Sequence, residues 1–177
     1  MSGTDTVVMK FGGTSVADAE RIKRAAQRIV TAKEAGTNVV AVLSARGKHT
    51  DELVSLAYEV SDRPDPREMD MLLSTGERVT CALAAMVIND LGHEAISLTG
   101  SQAGIVTDSG HTKARIIEVK ADRIRRGLED GNDTRAGLLR GHDPLRRALD
   151  ALGVGDGGTA ELHHDGVATG GWHGGQR

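Results

Sequence analysis

The segment Val39–Leu43 constrains the fold more than any other feature of the sequence, because it is an unbroken apolar run of strand length. A run without polar residues is typical of a strand buried on both faces. Such strands occur mainly in parallel sheets, whose crossover connections place helices over both faces. The segment therefore predicts a three-layer α/β domain with a mainly parallel central sheet.

Strand and helix patterns alternate along the first 131 residues, as such a domain requires. The predicted strands are short apolar runs, namely Thr6–Met9, Val39–Leu43, Glu94–Leu98, Gly104–Thr107 and Ile116–Val119. Four segments have apolar residues at helical spacing. The first is capped by Asp18 and stopped by Gly36, the second is capped by Thr50 or Asp51, the third runs from Met69 to Leu91, and the fourth is Ala121–Asp130. The third helix is predicted to break near Gly76.

Composition excludes several classes of function. The net charge of −3 and an aromatic content of 2% give no electrostatic or stacking surface for nucleic acid, and no charge attraction to an anionic membrane. The single cysteine, Cys81, excludes an internal disulfide and a cysteine-based zinc site, and its apolar helical setting predicts a buried residue. No apolar run reaches the roughly 18 residues of a membrane span, and the N-terminus lacks a signal pattern. We expect a cytoplasmic protein without nucleic-acid or membrane partners.

The character of the chain changes near residue 131. All six lysines and all eight isoleucines precede this point, whereas 11 of the 23 glycines and four of the seven histidines follow it. We therefore divide the chain into residues 1–131 and a Gly/His-rich tail, 132–177, which is expected to be disordered apart from helical potential at Pro144–Leu152. The tail histidines could form a metal cluster, but nothing nearby would orient their rings, so solvated side chains are the preferred interpretation for His163, His164 and His173.

The strongest local motif is Lys10-Phe11-Gly12-Gly13-Thr14-Ser15, between a predicted strand and a helix. The two glycines allow the backbone to approach an anion closely, and the lysine adds a positive charge. This combination suits a phosphate at the carboxyl edge of a parallel sheet. It is not a Walker A loop, because the lysine precedes the glycines. The alternative is a plain strand-to-helix turn with an exposed lysine.

Two further polar clusters interrupt apolar segments. Residues 44–50, Ser-Ala-Arg-Gly-Lys-His-Thr, follow the buried strand and would share the sheet edge of the first motif. In the long helical pattern, Glu77 could bind an ammonium group and Arg78 a carboxylate, because charges in apolar surroundings need partners. The alternatives are a capped helix entry for the first cluster and a structural ion pair at a helix break for the second.

The order of four motifs resembles the amino-terminal part of aspartate kinases. The motifs are KFGGTSVADAERI, VVAVLSARG followed by Thr50-Asp51-Glu52-Leu53, MDMLLSTGERV and LTGSQAGI, and the resemblance runs from Val7 to Gly131. It implies an incomplete amino-acid-kinase (carbamate-kinase-like) fold. It also implies transfer of the ATP γ-phosphoryl group to the side-chain carboxylate of L-aspartate, giving 4-phospho-L-aspartate, the first step toward lysine, threonine, methionine and diaminopimelate.

The resemblance also implies a set of site residues. Lys10 would be the catalytic residue that neutralises charge on the transferred phosphoryl group, and Glu77 would bind the α-ammonium group of aspartate. The phosphate side would comprise Lys10, Gly12, Gly13, Thr14 and Ser15, and the substrate side Ser44, Thr50 and Glu77. ATP is the implied co-substrate and Mg²⁺ the implied ion, with no metal ligand assigned in this chain. We expect Lys10, Gly12, Gly13, Ser44 and Glu77 to converge on one sheet edge.

Departures from the family pattern qualify the expected activity. Arg46 replaces the family's usual apolar residue, and residues 132–177 contain none of the turns that hold the nucleotide. This chain alone is therefore expected to show little or no activity. The alternative is a non-catalytic chain that binds aspartate weakly or associates with intact kinase subunits. A homo-oligomer is compatible with the active and with the non-catalytic interpretation. Glutamate 5-kinases and uridylate kinases are disfavoured, because they lack the combined Thr14-Ser15 and Gly76-Glu77-Arg78 pattern.

Overall fold

A computed structural model of the protein describes residues 6–108, 115–120, 122–129, 134–137, 161–162 and 167–170. Its strands are β1 Thr6–Phe11, β2 Asn38–Leu43, β3 Ala95–Leu98, β4 Ile105–Thr107, β5 Ile116–Val119, β6 Thr134–Gly137, β7 Glu161–Leu162 and β8 Val167–Gly170. Its helices are α1 Ala19–Glu34, α2 His49–Val60, α3 Pro66–Asp90 and α4 Asp122–Glu129, and a 3₁₀ turn, Gly13–Val16, follows β1. The predicted alternation of strands and helices is confirmed.

The central sheet has six strands in the order β3-β6-β2-β1-β8-β7. The strands β3, β6, β2 and β1 run parallel, with β1 and β2 in register from Thr6 opposite Asn38 to Phe11 opposite Leu43. The other two strands, β8 and β7, pair antiparallel at the β1 side of the sheet. A separate antiparallel hairpin is formed by β4 and β5. The mainly parallel α/β sheet predicted from the sequence is confirmed.

Apolar residues fill both faces of this sheet. On one face, Phe11 and Leu43 pack with α1 and with α3 through residues such as Cys81 and Ile88. On the other face, Val8, Val40 and Val42 pack with Leu98, Ala103 and Ile124. The two faces follow from strand alternation, because successive side chains of β1 and β2 point to opposite sides. Both strands are thus buried on both sides, as the run Val39–Leu43 predicted.

The first helix begins and ends where the sequence predicts. The Asp18 carboxylate accepts a hydrogen bond from the Arg21 backbone N–H at 2.9 Å, which caps α1. Gly36, with a φ of +90°, lies just beyond the end of the helix. The prediction for the second helix was wrong, because α2 begins at His49, before Thr50 and Asp51. Asp51 instead lies in the first turn, where a negative charge favours the helix dipole.

The predicted break near Gly76 is also wrong, because α3 continues through this position from Pro66 to Asp90. Asp65 caps the helix by accepting hydrogen bonds from the N–H groups of Arg67 and Glu68. Among the helices in the described ranges, only α3 is long and apolar enough to cross a membrane. It nevertheless packs against α1, α2 and β3 and buries Glu77 and Thr80, as a core helix does.

Three of the short strands lie beyond residue 131. Thr134–Gly137 pairs with both β2 and β3, and Val167–Gly170 pairs with β1. These pairings differ from the disorder expected for this segment, whose low aliphatic content gave no strand signal. The predicted helix Pro144–Leu152 and the three tail histidines His163, His164 and His173 lie outside the described residues. The division of the chain at residue 131 stays a prediction.

Candidate active site

The turn after β1 and the loop after β2 lie side by side at the carboxyl edge of the sheet. The Ser44 N–H donates to the Phe11 carbonyl oxygen at 3.0 Å, and the Gly47 N–H donates to the Gly13 carbonyl oxygen at 3.0 Å. Because β1 and β2 are parallel and in register, both segments leave the sheet at the same edge. The first two predicted clusters are therefore brought together, with Ser44 partly buried between them.

Gly13 permits this close approach. A β-carbon at Gly13 would lie 2.9 Å from the Ala45 carbonyl oxygen, so a larger residue would force the two segments apart. The 3₁₀ turn that follows is closed by the Ser15 N–H, which donates to the Gly12 carbonyl oxygen at 2.9 Å. Within this turn Thr14 is exposed and Ser15 is partly buried. The Gly12-Gly13 turn thus lies directly against the loop that carries Ser44.

The middle of α3 contacts the same loop after β2. A β-carbon at Gly76 would lie 3.0 Å from the Ala45 side chain and 3.4 Å from the His49 ring. Because Gly76 has no side chain, α3 can contact the loop after β2 at this position. This close packing accounts for the glycine, and the helix continues through it. Ala45, itself buried, is the residue at which all three polar segments meet.

Glu77 follows Gly76 on the buried side of α3 and is only 7% exposed. No hydrogen bond or ion pair joins its carboxylate to another residue in the described ranges. Arg78 is exposed, and its guanidinium donates to the Ser74 carbonyl oxygen and hydroxyl at 3.3 and 3.1 Å. The alternative of a Glu77–Arg78 ion pair at a helix break is therefore not observed. A buried carboxylate in this position is costly unless a cationic group pairs with it.

Lys10 approaches the edge from the other face of the sheet. It pairs in register with Val42 and is flanked by Val8, and both valines pack on the face opposite α3. Lys10 is partly buried and has a polar interaction of its own. Glu77 belongs to α3, which covers the other face of the sheet. The expected convergence of Lys10 with Glu77 is therefore wrong, because strand alternation in β1 directs Lys10 to the face that α3 does not cover.

The predicted substrate residue Thr50 lies in the first turn of α2 and is partly buried. Its neighbour His49 was given no role by sequence reasoning, yet its ring packs beside Gly76 and its Nδ1 lies 3.2 Å from the Glu52 carboxylate. Arg21 was also missed; its guanidinium donates to the Thr14 carbonyl oxygen at 2.8 Å and supports the 3₁₀ turn. The contacts of His49 with Gly76 and of Arg21 with Thr14 join different elements, so no local pattern could signal them.

No three His, Cys, Asp or Glu side chains come together as a metal site within the part of the chain that the structure describes. The Mg²⁺ implied by the resemblance to aspartate kinases thus has no ligand set there. We assign no step of the chemistry to it.

Burial raises the pKa of the Cys81 thiol from 9.0 to about 12, with a smaller contribution from the nearby Glu77 carboxylate. Between pH 9 and pH 12 the thiol is deprotonated in the unfolded chain but stays protonated in the folded chain. Deprotonation therefore stabilises the unfolded chain, and the stability that the thiol contributes at neutral pH is lost as the pH rises from 9 toward 12. We expect the stability difference between the wild-type chain and Cys81→Ala to shrink by about 1 kcal/mol between pH 7 and pH 10, measured by urea unfolding. If the stability difference between the two chains were equal at pH 7 and pH 10, burial would not raise the pKa of the Cys81 thiol.

Comparison with known proteins identifies the fold family. The amino acid kinase family matches residues 5–156, which extends past residue 131, where the motif resemblance was expected to end. An aspartokinase from Mycolicibacterium smegmatis is 50% identical over 156 residues, covering 88% of this chain and 37% of the relative. This chain thus spans just over a third of the length of that relative.

Two solved structures share the fold. Aspartate kinase from Synechocystis matches with a TM-score of 0.64 and 44% identity, covering 77% of this chain and 22% of that one. Aspartokinase III from E. coli, solved with aspartate and ADP, matches with a TM-score of 0.60 and 21% identity over 73% of this chain and 40% of that one. The predicted amino-acid-kinase fold is confirmed. The chain therefore belongs to the amino acid kinase family, and it is similar in sequence to the aspartokinases of that family.

Proposed function

We propose that residues 1–131 form the acceptor half of an aspartate kinase site, in which L-aspartate receives the γ-phosphoryl group of ATP on its side-chain carboxylate. The product would be 4-phospho-L-aspartate, in the cytoplasm and at the start of lysine, threonine, methionine and diaminopimelate synthesis. The observation that carries the proposal is the buried carboxylate of Glu77 beside the meeting point at Ala45. An α-ammonium group is the kind of partner that such a carboxylate requires.

The phosphate side of the proposed site is formed by the Gly12-Gly13 turn and Lys10. Backbone N–H groups of such a turn can bind phosphoryl oxygens, and the lysine ammonium stabilises the negative charge that develops during transfer. Thr14 and Ser15 supply hydroxyl groups at the same turn, while Ser44 and Thr50 line the acceptor side. Lys10 and Glu77 lie on opposite faces of the sheet, so in this proposal the acceptor reaches across its carboxyl edge.

The acceptor needs no general base in this proposal. A side-chain carboxylate is already ionised near neutral pH and can attack the phosphorus directly. Catalysis then rests on placing the two reactants within near-attack distance, which contributes about 7–11 kcal/mol. The identity of ATP as donor is supported by the E. coli aspartokinase III structure, which was solved with aspartate and ADP.

A chimera tests this function directly. In it, residues 1–131 of this chain are followed by the remaining part of the Mycolicibacterium smegmatis aspartokinase. We expect the chimera to form aspartyl phosphate, trapped as the hydroxamate with hydroxylamine. We expect the 177-residue chain alone to show little or no product, because positioning of the γ-phosphate requires the nucleotide turns.

The remaining part of the relative, expressed without residues 1–131, is the matched control and should be inactive. A folded chimera that binds ATP and still forms no aspartyl phosphate would contradict the proposed function. Robust turnover by the 177-residue chain would show instead that residues 132–177 supply a nucleotide site.

A further inference from the structure

The loop after β2 carries two positively charged side chains that the proposed function does not use. Arg46 and Lys48 are both exposed in this loop. Neither side chain forms a hydrogen bond or an ion pair with another residue in the described ranges. Their charges are therefore available to a ligand that binds at the carboxyl edge of the sheet.

The backbone is held in place on both sides of Arg46. Ala45, which precedes it, is buried, and its side chain packs against α3 at Gly76. Gly47, which follows it, donates its N–H to the Gly13 carbonyl oxygen at 3.0 Å. A fixed backbone restricts the positions that the guanidinium can reach, and this restriction lowers the entropic cost of binding a ligand there.

A negative charge lies beside the same contact. Glu77 follows Gly76 directly, as Arg46 follows Ala45, so a carboxylate and a guanidinium are each one residue away from the point where the loop meets α3. The two groups form no ion pair with each other. Arg78, which the sequence also suggested as a carboxylate ligand, is instead held along α3 by hydrogen bonds to its own helix. An α-amino acid carries an ammonium group and a carboxylate on one carbon atom, and these are the charges that complement Glu77 and Arg46.

We propose that Arg46 binds the α-carboxylate of the acceptor and makes the site selective for an amino acid in which this carboxylate is free. The inference rests on the proposed function, in which Glu77 binds the ammonium group of the same molecule. The planar guanidinium can donate two parallel hydrogen bonds to a carboxylate, which fixes its orientation as well as its position. Aspartate has two carboxylates, and binding of one by Arg46 leaves the other to receive the phosphoryl group.

Calorimetric titration of the 177-residue chain with L-aspartate and with its α-amide measures this selectivity. The α-amide keeps the ammonium group and the side-chain carboxylate but has no charge at the α-carboxyl group. We expect the wild-type chain to bind L-aspartate about tenfold more tightly than the α-amide. Arg46→Met keeps a long side chain without the charge, so it should bind both ligands with the affinity that the wild-type chain has for the α-amide. Arg46→Lys keeps the charge but not the paired hydrogen bonds, and it should retain a preference of about threefold.

Lys48→Gln is the matched control. Lys48 is exposed in the same loop, but it lies beyond Gly47, whose backbone is next to Ala17 at the start of α1. Its removal should leave the preference for aspartate over the α-amide unchanged, whereas a general attraction of anions to the loop would be weakened by either substitution. The inference would be overturned by equal binding of both ligands to the wild-type chain, by binding of neither, by an unchanged preference in Arg46→Met, or by an equal loss in Lys48→Gln.

The failure of this inference and the failure of the proposed function give different results. If Arg46→Met keeps the wild-type preference while the chimera forms aspartyl phosphate, the proposed reaction is supported and the role of Arg46 is wrong. If the preference depends on Arg46 while a folded chimera that binds ATP forms no aspartyl phosphate, Arg46 binds the amino acid and the proposed reaction is wrong.

Discussion

Lys10→Ala in the chimera is expected to lower kcat for aspartyl phosphate formation by about 10²–10³-fold, the range found when a group that stabilises transition-state charge is removed. Lys10 is the second-to-last residue of β1, just before the Gly12-Gly13 turn at which the phosphoryl group is proposed to be transferred. Binding of aspartate to Glu77 on the other face should change little. The loss should therefore appear in kcat, with KM for aspartate within about threefold of the parent value.

Lys23→Ala is the matched control for this measurement. Lys23 lies on the exposed side of α1 and pairs with Glu20, so its removal should leave kcat unchanged. Circular dichroism of both variants would show that the fold is retained. An unchanged kcat for a folded Lys10→Ala chimera would remove Lys10 from the catalytic site.

Glu77→Gln is expected to raise KM for aspartate by about 10–100-fold, because the side chain keeps its shape but loses the charge that pairs with the substrate ammonium. The residue is buried, so the interaction is little screened by solvent. Addition of salt should accordingly change the effect only slightly. Steady-state kinetics of the chimera at saturating ATP measures it.

Glu59→Gln, at an exposed position of α2, provides the matched control and should leave KM unchanged. A Glu77→Gln chimera that is folded and has the parental KM would contradict the ammonium-binding role. A loss of folding would instead assign Glu77 a structural role in α3.

The fold could be predicted where local patterns decide it. The apolar run Val39–Leu43 identified a doubly buried strand, and Asp18 marked the start of α1. Predictions failed where contacts between distant segments determine whether a residue lies in a helix or a strand. Gly76 resembles a helix breaker in sequence, but its missing side chain instead accommodates Ala45. The strand Thr134–Gly137 has no apolar pattern, and its place in the sheet depends on its backbone pairing with β2 and β3.

The same distinction applies to the candidate site. The glycines of the first motif and Ser44 follow strands directly, so their common edge could be predicted from strand order alone. The separation of Lys10 and Glu77 onto opposite faces could not, because it depends on the register of β1 and on the face that α3 covers. The contact of His49 with Gly76 likewise arises only when α2, α3 and the β2 loop pack together.

Calorimetric titration of the 177-residue chain with L-aspartate and with succinate tests whether Glu77 binds the ammonium group of the acceptor. Succinate has both carboxylates of aspartate but lacks the ammonium group that Glu77 is proposed to bind. We expect saturable binding of aspartate, with succinate binding at least about tenfold more weakly, and equally weak binding of both ligands to the Glu77→Gln chain. Equal affinities of the wild-type chain for aspartate and succinate, or no binding of either, would contradict this role of Glu77.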